Sequence, residues 1–485
     1  MFVPPRPRSL PAVAALIRSA AMRDGDLLSL LPDFAYRDPV RFIGVSRRQI
    51  LIVNDPDLVK QVMVTDADIF PKSDLMVGAL EPLVGNSLFV SSGPVWQRQR
   101  RMVDPAFSQL RIDRAFKAMR GAVDDYETSL EAKAARGEPV SLDLAMSHLT
   151  ADIICRTVFS TSLESSIARE VFEDFLVFER AVAHVEIRRL IMGKAWTEIP
   201  QPPDVLAACQ RIRGHIGTLL DPHLEEGGNG YDDIASVISE TADPGDGERF
   251  TREELIDQLG VFFLAGHETT ASALTWCFYI LSQAPEHLAR LRAEIEAVSG
   301  GGPLMLQHVK AMPFARAVFK EALRLYPPIT FIPRVALEAT RIGPYKIRKG
   351  AMVMIAPWSI HRHHALWDHP DVFDPDRFAP GSDRTRRPGT YLPFGYGSRV
   401  CIGAGFAAVE SALILARLAR RFDFAVEDPA AVRPVARLTT RPKEQITVRV
   451  FDRGLPEGAI APVTPSGHEE RLSAHAGRVS EPLAS

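Results

Sequence analysis

Apolar residues recur along this chain mostly at helical spacing, interrupted by a few short runs that read as strands. Ile50-Leu51-Ile52-Val53, closed by Asn54-Asp55-Pro56, predicts a strand, and Asp57 to Val64 predicts a helix. From Phe70 to Phe89 the text is apolar but broken by Pro71, Gly78, Pro82 and Gly85, which predicts a loop with short helical pieces. Helical patterning runs from Arg114 to Leu163, with a break near Gly137-Glu138-Pro139. Between Glu164 and Leu220, apolar surface comes from Phe172, Phe175, Leu176 and Phe178, then from Leu190, Ile191, Met192 and Trp196. Thr251-Arg252-Glu253-Glu254 reads as a capping box opening a helix to about Gln283, stopped near Pro285. At about 1.5 Å per residue that helix is roughly 50 Å long. Its mostly apolar text predicts burial on most sides, and hence one large domain built around it. Another helix spans Phe314 to Leu325, ended by Pro327-Pro328. Strands are predicted within Thr340 to Ile355, around Gly343-Pro344, and from Gln445 to Val450. The expected architecture is mainly α with a small β region: a single domain of residues 1–455, of which 1–30 are an irregular lead-in, followed by a disordered tail at 456–485.

Composition narrows the class. The 485 residues are 46% hydrophobic and 24% charged, with a net charge of −3, which argues against a nucleic-acid binder. Cys155, Cys209, Cys277 and Cys401 are scattered with no C-x-x-C pair, so a reducing compartment fits better than a disulfide framework. No apolar run reaches the roughly 18 residues of a membrane span, and no transmembrane anchor is expected. The N-terminus carries Arg6, Arg8, Arg18 and Arg23 and no acid up to Arg23; it reads as a frayed basic end or, alternatively, a transit peptide. Arginine outnumbers lysine, as in high-GC bacterial genomes, so a cytoplasmic bacterial protein is expected.

Two stretches carry candidate chemistry. Ala265-Gly266-His267-Glu268-Thr269-Thr270 sets poor helix formers and an acid in the middle of a buried helix. Such a departure marks a functional site, or a kink whose threonine hydroxyls bond back to the preceding turn. His267 is read as a packing or surface residue. Phe394-Gly395-Tyr396-Gly397-Ser398-Arg399-Val400-Cys401-Ile402-Gly403 ends a glycine-punctuated loop on one cysteine, ahead of an apolar helical run from about Phe406 to Leu418. Glycines let a backbone pass close to a flat or bulky partner. A helix N-terminus favours the thiolate, and a thiolate on a rigid loop is a candidate iron ligand. The plainer reading is an inert buried cysteine. Trp96 and Arg100 share a helix face, as do Glu321 and Arg324. His361-Arg362-His363-His364 suggests zinc, but no cysteine or acid cluster completes a ligand set.

The loop pattern F-G-x-G-x-R-x-C-x-G, with every fixed position filled, resembles the haem-binding loop of the cytochrome P-450 family. Three further motifs stand in that family's order, and the resemblance covers roughly residues 30–455. It implies the mainly helical, roughly triangular cytochrome P-450 fold. It also implies haem b (iron protoporphyrin IX) with Cys401 as axial ligand, and a monooxygenase that puts one oxygen atom from O2 into a lipophilic small molecule by hydroxylation or epoxidation. Ala265-Gly266-His267-Glu268-Thr269 resembles the oxygen-activation motif A-G-x-[DE]-T. The resemblance assigns Thr269 to orient water and pass protons, and Glu268 to connect the site to solvent. Trp96 and Arg100 resemble the propionate clamp, Arg334 and Arg399 match further propionate partners, and Phe394 opens the cofactor loop. Glu321 and Arg324 resemble the E-x-x-R motif which, with Arg377 of Pro375-Asp376-Arg377-Phe378, forms a structural network on the cysteine side. By the same resemblance, residues 70–89 arch over the haem and the helices of 164–220 form a lid, although plain packing explains the same text.

Arg98, Arg101, Arg111, Arg114 and Lys117 read either as a docking patch for an acidic redox partner or as a solvated face. No flavin or iron–sulfur module is evident, so electrons are expected from a separate ferredoxin with its reductase, or a flavodoxin-like donor, acting on a monomer. The text around Lys320 to Pro328 and Ala265 to Thr270 resembles the branch that includes fatty-acid and terpenoid oxidisers. Two other readings stand beside this one. A peroxide-driven peroxygenase typically lacks the Glu268–Thr269 pair, and a non-catalytic haem sensor or carrier would not need it.

Overall fold

The computed structural model describes residues 2–7, 26–43, 48–182, 201–225 and 230–453. The long helix predicted from the capping box is present as Arg252–Gln283. Thr251 Oγ1 accepts from the Glu254 N–H at 3.2 Å, and Glu254 Oε2 accepts from the Thr251 N–H at 2.8 Å. From Leu255 to Leu281 every residue is buried except Ala265, Gly266 and Thr269. The helix Leu142–Val158 runs against it. That approach needs Gly266, because a Cβ there would stand 2.4 Å from Ile154 Cδ1. Helices Pro203–Leu224, Pro313–Leu325 and Ala404–Arg421 also pack on the long helix. Gln109–Ala135 closes the far side against Leu142–Val158 and Ala404–Arg421. The apolar side of each helix meets one continuous core.

The β region is small. A four-stranded sheet runs in the order Val40–Ile43, Ile50–Val53, Met352–Ile355, Ile332–Val335, parallel only between its two central strands. Those two central strands are buried on both faces, which is why they read as unbroken apolar runs. Val140–Ser141, Thr447–Asp452 and Phe422–Val426 form a second sheet. Two hairpins complete the set, Thr340–Ile342 with Tyr345–Ile347 and Pro434–Ala436 with Thr440–Pro442. The fold is mainly α with a small β region, as predicted.

Within the stretch read as a loop with short helical pieces, residues 74–84 form one regular helix, Asp74–Val84, capped by Ser73 and ended at Gly85 with φ of 49°. Pro82 leaves the Gly78 carbonyl without its intrahelical partner, and the Gln201 side-chain amide supplies one at 3.1 Å. A donor so far away in the chain is not legible locally. Leu190, Ile191, Met192, Trp196 and the tail after Arg453 lie outside the described residues. Among the described residues, no helix is long and apolar enough to cross a membrane.

Candidate active site

The cysteine loop is shaped by its glycines. Gly395 and Gly397 have φ of 79° and 74°, and a Cβ on Gly397 would stand 2.6 Å from the Met63 carbonyl oxygen. The loop closes where the Cys401 N–H donates to the Phe394 carbonyl at 2.9 Å, just before the helix Ala404–Arg421. Cys401 is exposed on its side chain, although protein atoms surround it closely. Burial raises the pKa of its thiol; the Gly403 N–H and the charge of Arg100 pull it back by less. A bound iron would favour the thiolate.

Behind the loop, the structure brings Glu321, Arg324 and Arg377 together. Glu321 and Arg324 are fully buried and bidentate, at 2.7 and 2.6 Å. Arg324 also donates to the carbonyls of His361, Pro370 and Val372 at 2.8, 2.6 and 2.9 Å. All five of its N–H groups are thus used, which is what lets a buried guanidinium persist. Arg377 Nε lies 3.4 Å from Glu321 Oε1. His361 links this network to the cysteine loop. Its Nδ1 lies 3.2 Å from the Arg324 carbonyl and its Nε2 accepts from the Leu392 N–H at 2.8 Å. Burial lowers its pKa to about 3, so it stays neutral with both nitrogens occupied, which removes it from any zinc set.

In front of the loop, three cations gather. Arg399 lies over the Trp96 ring at 4.4 Å and donates to the Ser91 carbonyl at 3.0 Å. Arg334 is buried on its strand, in a β-bridge with Lys72. Lys72 donates to the Leu88 and Phe89 carbonyls. Burial, then repulsion by Arg399, lowers the pKa of Lys72 and brings that of Arg334 down to about 10; burial alone brings Arg399 down to about 10, opposed by Asp68. Among the described residues none of the three has a carboxylate within ion-pair distance. Two buried cations with a third, half-buried one beside them suit a ligand with more than one negative charge. The two propionates of a haem whose iron meets Cys401 fit that requirement. Lys72 was not singled out in the sequence; its one signal is a lysine inside the apolar stretch 70–89. Arg100 is elsewhere, bonded to Asp104 at 2.7 Å and to the Val400 carbonyl at 2.9 Å, against the backbone just before Cys401. Replacing Lys72 with Met is expected to speed haem loss about tenfold, the worth of one charge-assisted hydrogen bond. Haem transfer to an acceptor protein measures this, and an unchanged rate would leave Lys72 a packing role.

On the long helix, Ala265 and Thr269 share the face that is left open. Thr269 Oγ1 donates to the Ala265 carbonyl at 2.6 Å, so the back-bonding weighed from sequence is present. Phe107 joins this helix to the cysteine loop, edge-on to Phe262 at 5.2 Å and against Gly403. Glu268 is buried but does not reach solvent directly. Thr439 Oγ1 donates to it at 2.5 Å and Arg441 Nε at 2.7 Å, both from the hairpin of Pro434–Ala436 and Thr440–Pro442 or its turn. Glu410, on the helix after Cys401, is fully buried near Thr270, and burial raises its pKa. Thr439, Arg441 and Glu410 were missed because each meets the motif only through the fold.

The basic stretch after Trp96 is not a free patch. Arg98 pairs with Glu254, Arg101 with Asp243, and Arg111 and Arg114 with Asp232 beside a cleft of about 670 Å³. Neither Cys401 nor Thr269 lines that cleft.

Comparison with known proteins agrees with this geometry. The cytochrome P450 family model matches residues 4–448. Cyclooctatin synthase of Streptomyces melanosporofaciens is 31% identical, over 83% of this chain and 84% of its own. Pentalenene oxygenase of Streptomyces avermitilis is 28% identical, over 82% and 87%. The crystal structure of the cytochrome P450DA heme domain superposes with a TM-score of 0.76 at 25% identity, covering 96% of this chain and 99% of that one. Cysteine loop, cation cluster and matched span lead to one conclusion: the chain belongs to the cytochrome P450 family and is a haem b monooxygenase acting with O2 on a lipophilic small molecule.

Proposed function

We propose that residues 1–455 form one catalytic unit whose substrate is an uncharged cyclic terpene. Haem held through Cys401 supplies the activation of O2, with the thiolate donating electron density. Lys72, Arg334, Arg399 and Trp96 bind its propionates, and Arg100 and Phe394 hold the backbone on either side of the ligand cysteine. Thr269 Oγ1 moves from the Ala265 carbonyl to orient a water, and Glu268 passes protons to it. Leu75, Met76, Phe89, Phe172, Ala265 and Leu438, half-buried against the core, exclude water and bind apolar surface.

The names of two relatives, cyclooctatin synthase and pentalenene oxygenase, support the terpene reading. Arg48, beside the start of Asp74–Val84, is buried and committed to Asp74, at 3.0 and 3.3 Å, and to the Gly350 carbonyl at 2.7 Å, so it is not available to a fatty-acid carboxylate. Electrons are assigned to a ferredoxin with its reductase, or a flavodoxin-like donor.

The test is a spin-state titration with limonene, caryophyllene and dodecanoic acid, followed by product analysis with a ferredoxin and reductase. A spin shift and oxygenated product with a terpene, and none with dodecanoic acid, is expected. The reverse preference would overturn the substrate assignment.

A further inference from the structure

Among the described residues, the hairpin of Pro434–Ala436 and Thr440–Pro442 pairs with no third strand. Two strands of three residues do not hold their place alone. Side chains of the long helix hold it instead. Glu268, Ser272 and Trp276 stand four apart and share one face. Ser272 Oγ and Trp276 Nε1 donate to the Thr440 carbonyl at 2.7 and 2.9 Å. Thr440 in turn donates to the Pro328 carbonyl through its N–H at 3.0 Å and to the Pro327 carbonyl through its hydroxyl at 2.5 Å. Ser272, Trp276 and Thr440 are all buried, so water does not compete for these bonds.

The turn is held separately. Thr440 pairs with Ala436, which leaves Arg437, Leu438 and Thr439 between the strands. Arg437 is exposed, Leu438 is half-buried against the core, and Thr439 is buried. Glu268 accepts from Thr439 Oγ1 and from Arg441 Nε, and so grips the turn and the strand that leaves it. Arg441 also donates to Ser147 at 3.3 Å, on the helix Leu142–Val158, and to Glu179 at 3.4 Å, on the helix Ser166–Val182. Hydrogen bonds to an ionised acceptor are roughly twice as strong as neutral ones, so Glu268 is the strongest of the helix anchors. Its neighbour in the chain is Thr269, on the open face. One turn of the long helix therefore carries both the residue that opens on the site and the carboxylate that places Leu438.

We infer that Glu268, acting through Thr439, is a positioning residue for the substrate: it fixes where Leu438 stands and thereby which carbon of the substrate is oxidised. The inference rests on the reading of Leu438 as part of the apolar surface that binds substrate. It gives Glu268 a task separate from proton transfer. Passing a proton needs an ionisable group, whereas holding Thr439 needs only an acceptor oxygen. Ser272 and Trp276 hold the strand behind the turn, so loss of the carboxylate moves the tip and leaves the hairpin folded. Apolar surfaces discriminate between poses by small margins, and a displaced leucine changes the ratio of two oxidation positions by about tenfold.

The test is the product ratio from limonene and from caryophyllene, each of which offers several oxidisable positions. The full-length holoprotein is driven by O2 with a ferredoxin and reductase, and again by hydrogen peroxide, which brings its own protons. Thr439→Val is expected to shift the ratio of the two leading products about tenfold, equally with either oxidant, and Thr439→Ser to keep the wild-type ratio. Leu438→Ala, at a half-buried position that tolerates truncation, should shift the ratio as well. Glu268→Gln retains an acceptor oxygen and should hold the ratio while its O2-driven coupling falls; Glu268→Ala should lose both. An unchanged ratio in Thr439→Val or in Leu438→Ala, or a shift with O2 alone, would overturn the inference. So would a shift in Glu268→Gln as large as that in Glu268→Ala, since it would assign the effect to charge. A wild type that oxygenates neither terpene would instead sink the substrate reading on which the inference rests.

Discussion

Glu321→Ala is expected to give almost no folded, haem-loaded protein. The carboxylate is fully buried, holds Arg324 by two short bonds, accepts from the Asp374 N–H at 2.9 Å, and forms an ion pair with Arg377 at 3.4 Å. Its removal leaves a guanidinium buried without a counter-charge, which costs about 3–5 kcal/mol. A domain's whole stability is about 5–15 kcal/mol. The damage is directed at the cofactor side, because Arg324 and His361 together hold the segment from His361 to Leu392 that leads into the cysteine loop. Arg324→Lys should fail in the same way, since an ammonium cannot replace five donors in a planar fork. Haem per polypeptide in the soluble fraction, with thermal unfolding of whatever is recovered, measures the effect. A variant that loads haem normally would show that the network does not carry the loop.

Thr269→Ala is expected to leave folding and haem content intact and to break the link between electron consumption and product. The hydroxyl sits on the one open face of the long helix, and its present bond to the Ala265 carbonyl is local and exchangeable. Without it, Glu268 has no relay. Losing a positioned proton donor costs on the order of 100-fold. Product per electron pair should fall toward that extent while oxygen uptake continues and hydrogen peroxide accumulates; Thr269→Ser should retain most of the coupling. The balance of reduced nicotinamide, oxygen, peroxide and product decides it. Unchanged coupling would assign proton delivery to another group.

What could be read from the chain was what lies close together in it. The Thr251–Glu254 capping box, the Gly395–Cys401 loop and the Glu321–Arg324 pair are each formed within one turn or one loop, and each stands where the residues predict. The illegible parts are contacts between distant segments. Lys72 joins Arg334 and Arg399 only because a strand and a loop converge on it. Arg441 and Glu179 reach Glu268 and His267 from a terminal hairpin and another helix. Gln201 sustains a helix that Gly78 and Pro82 argue against. Arg98, Arg101, Arg111 and Arg114 read as a positive face until the fold supplies their acids.

The most direct test of the account is the absorption spectrum of the reduced, carbon-monoxide-bound protein, wild type against Cys401→Ala. Thiolate ligation by Cys401 predicts a Soret band displaced far to the red in the wild type and absent from the variant. A wild-type band at the position typical of histidine-ligated haem, or a red-displaced band that survives in Cys401→Ala, would contradict it.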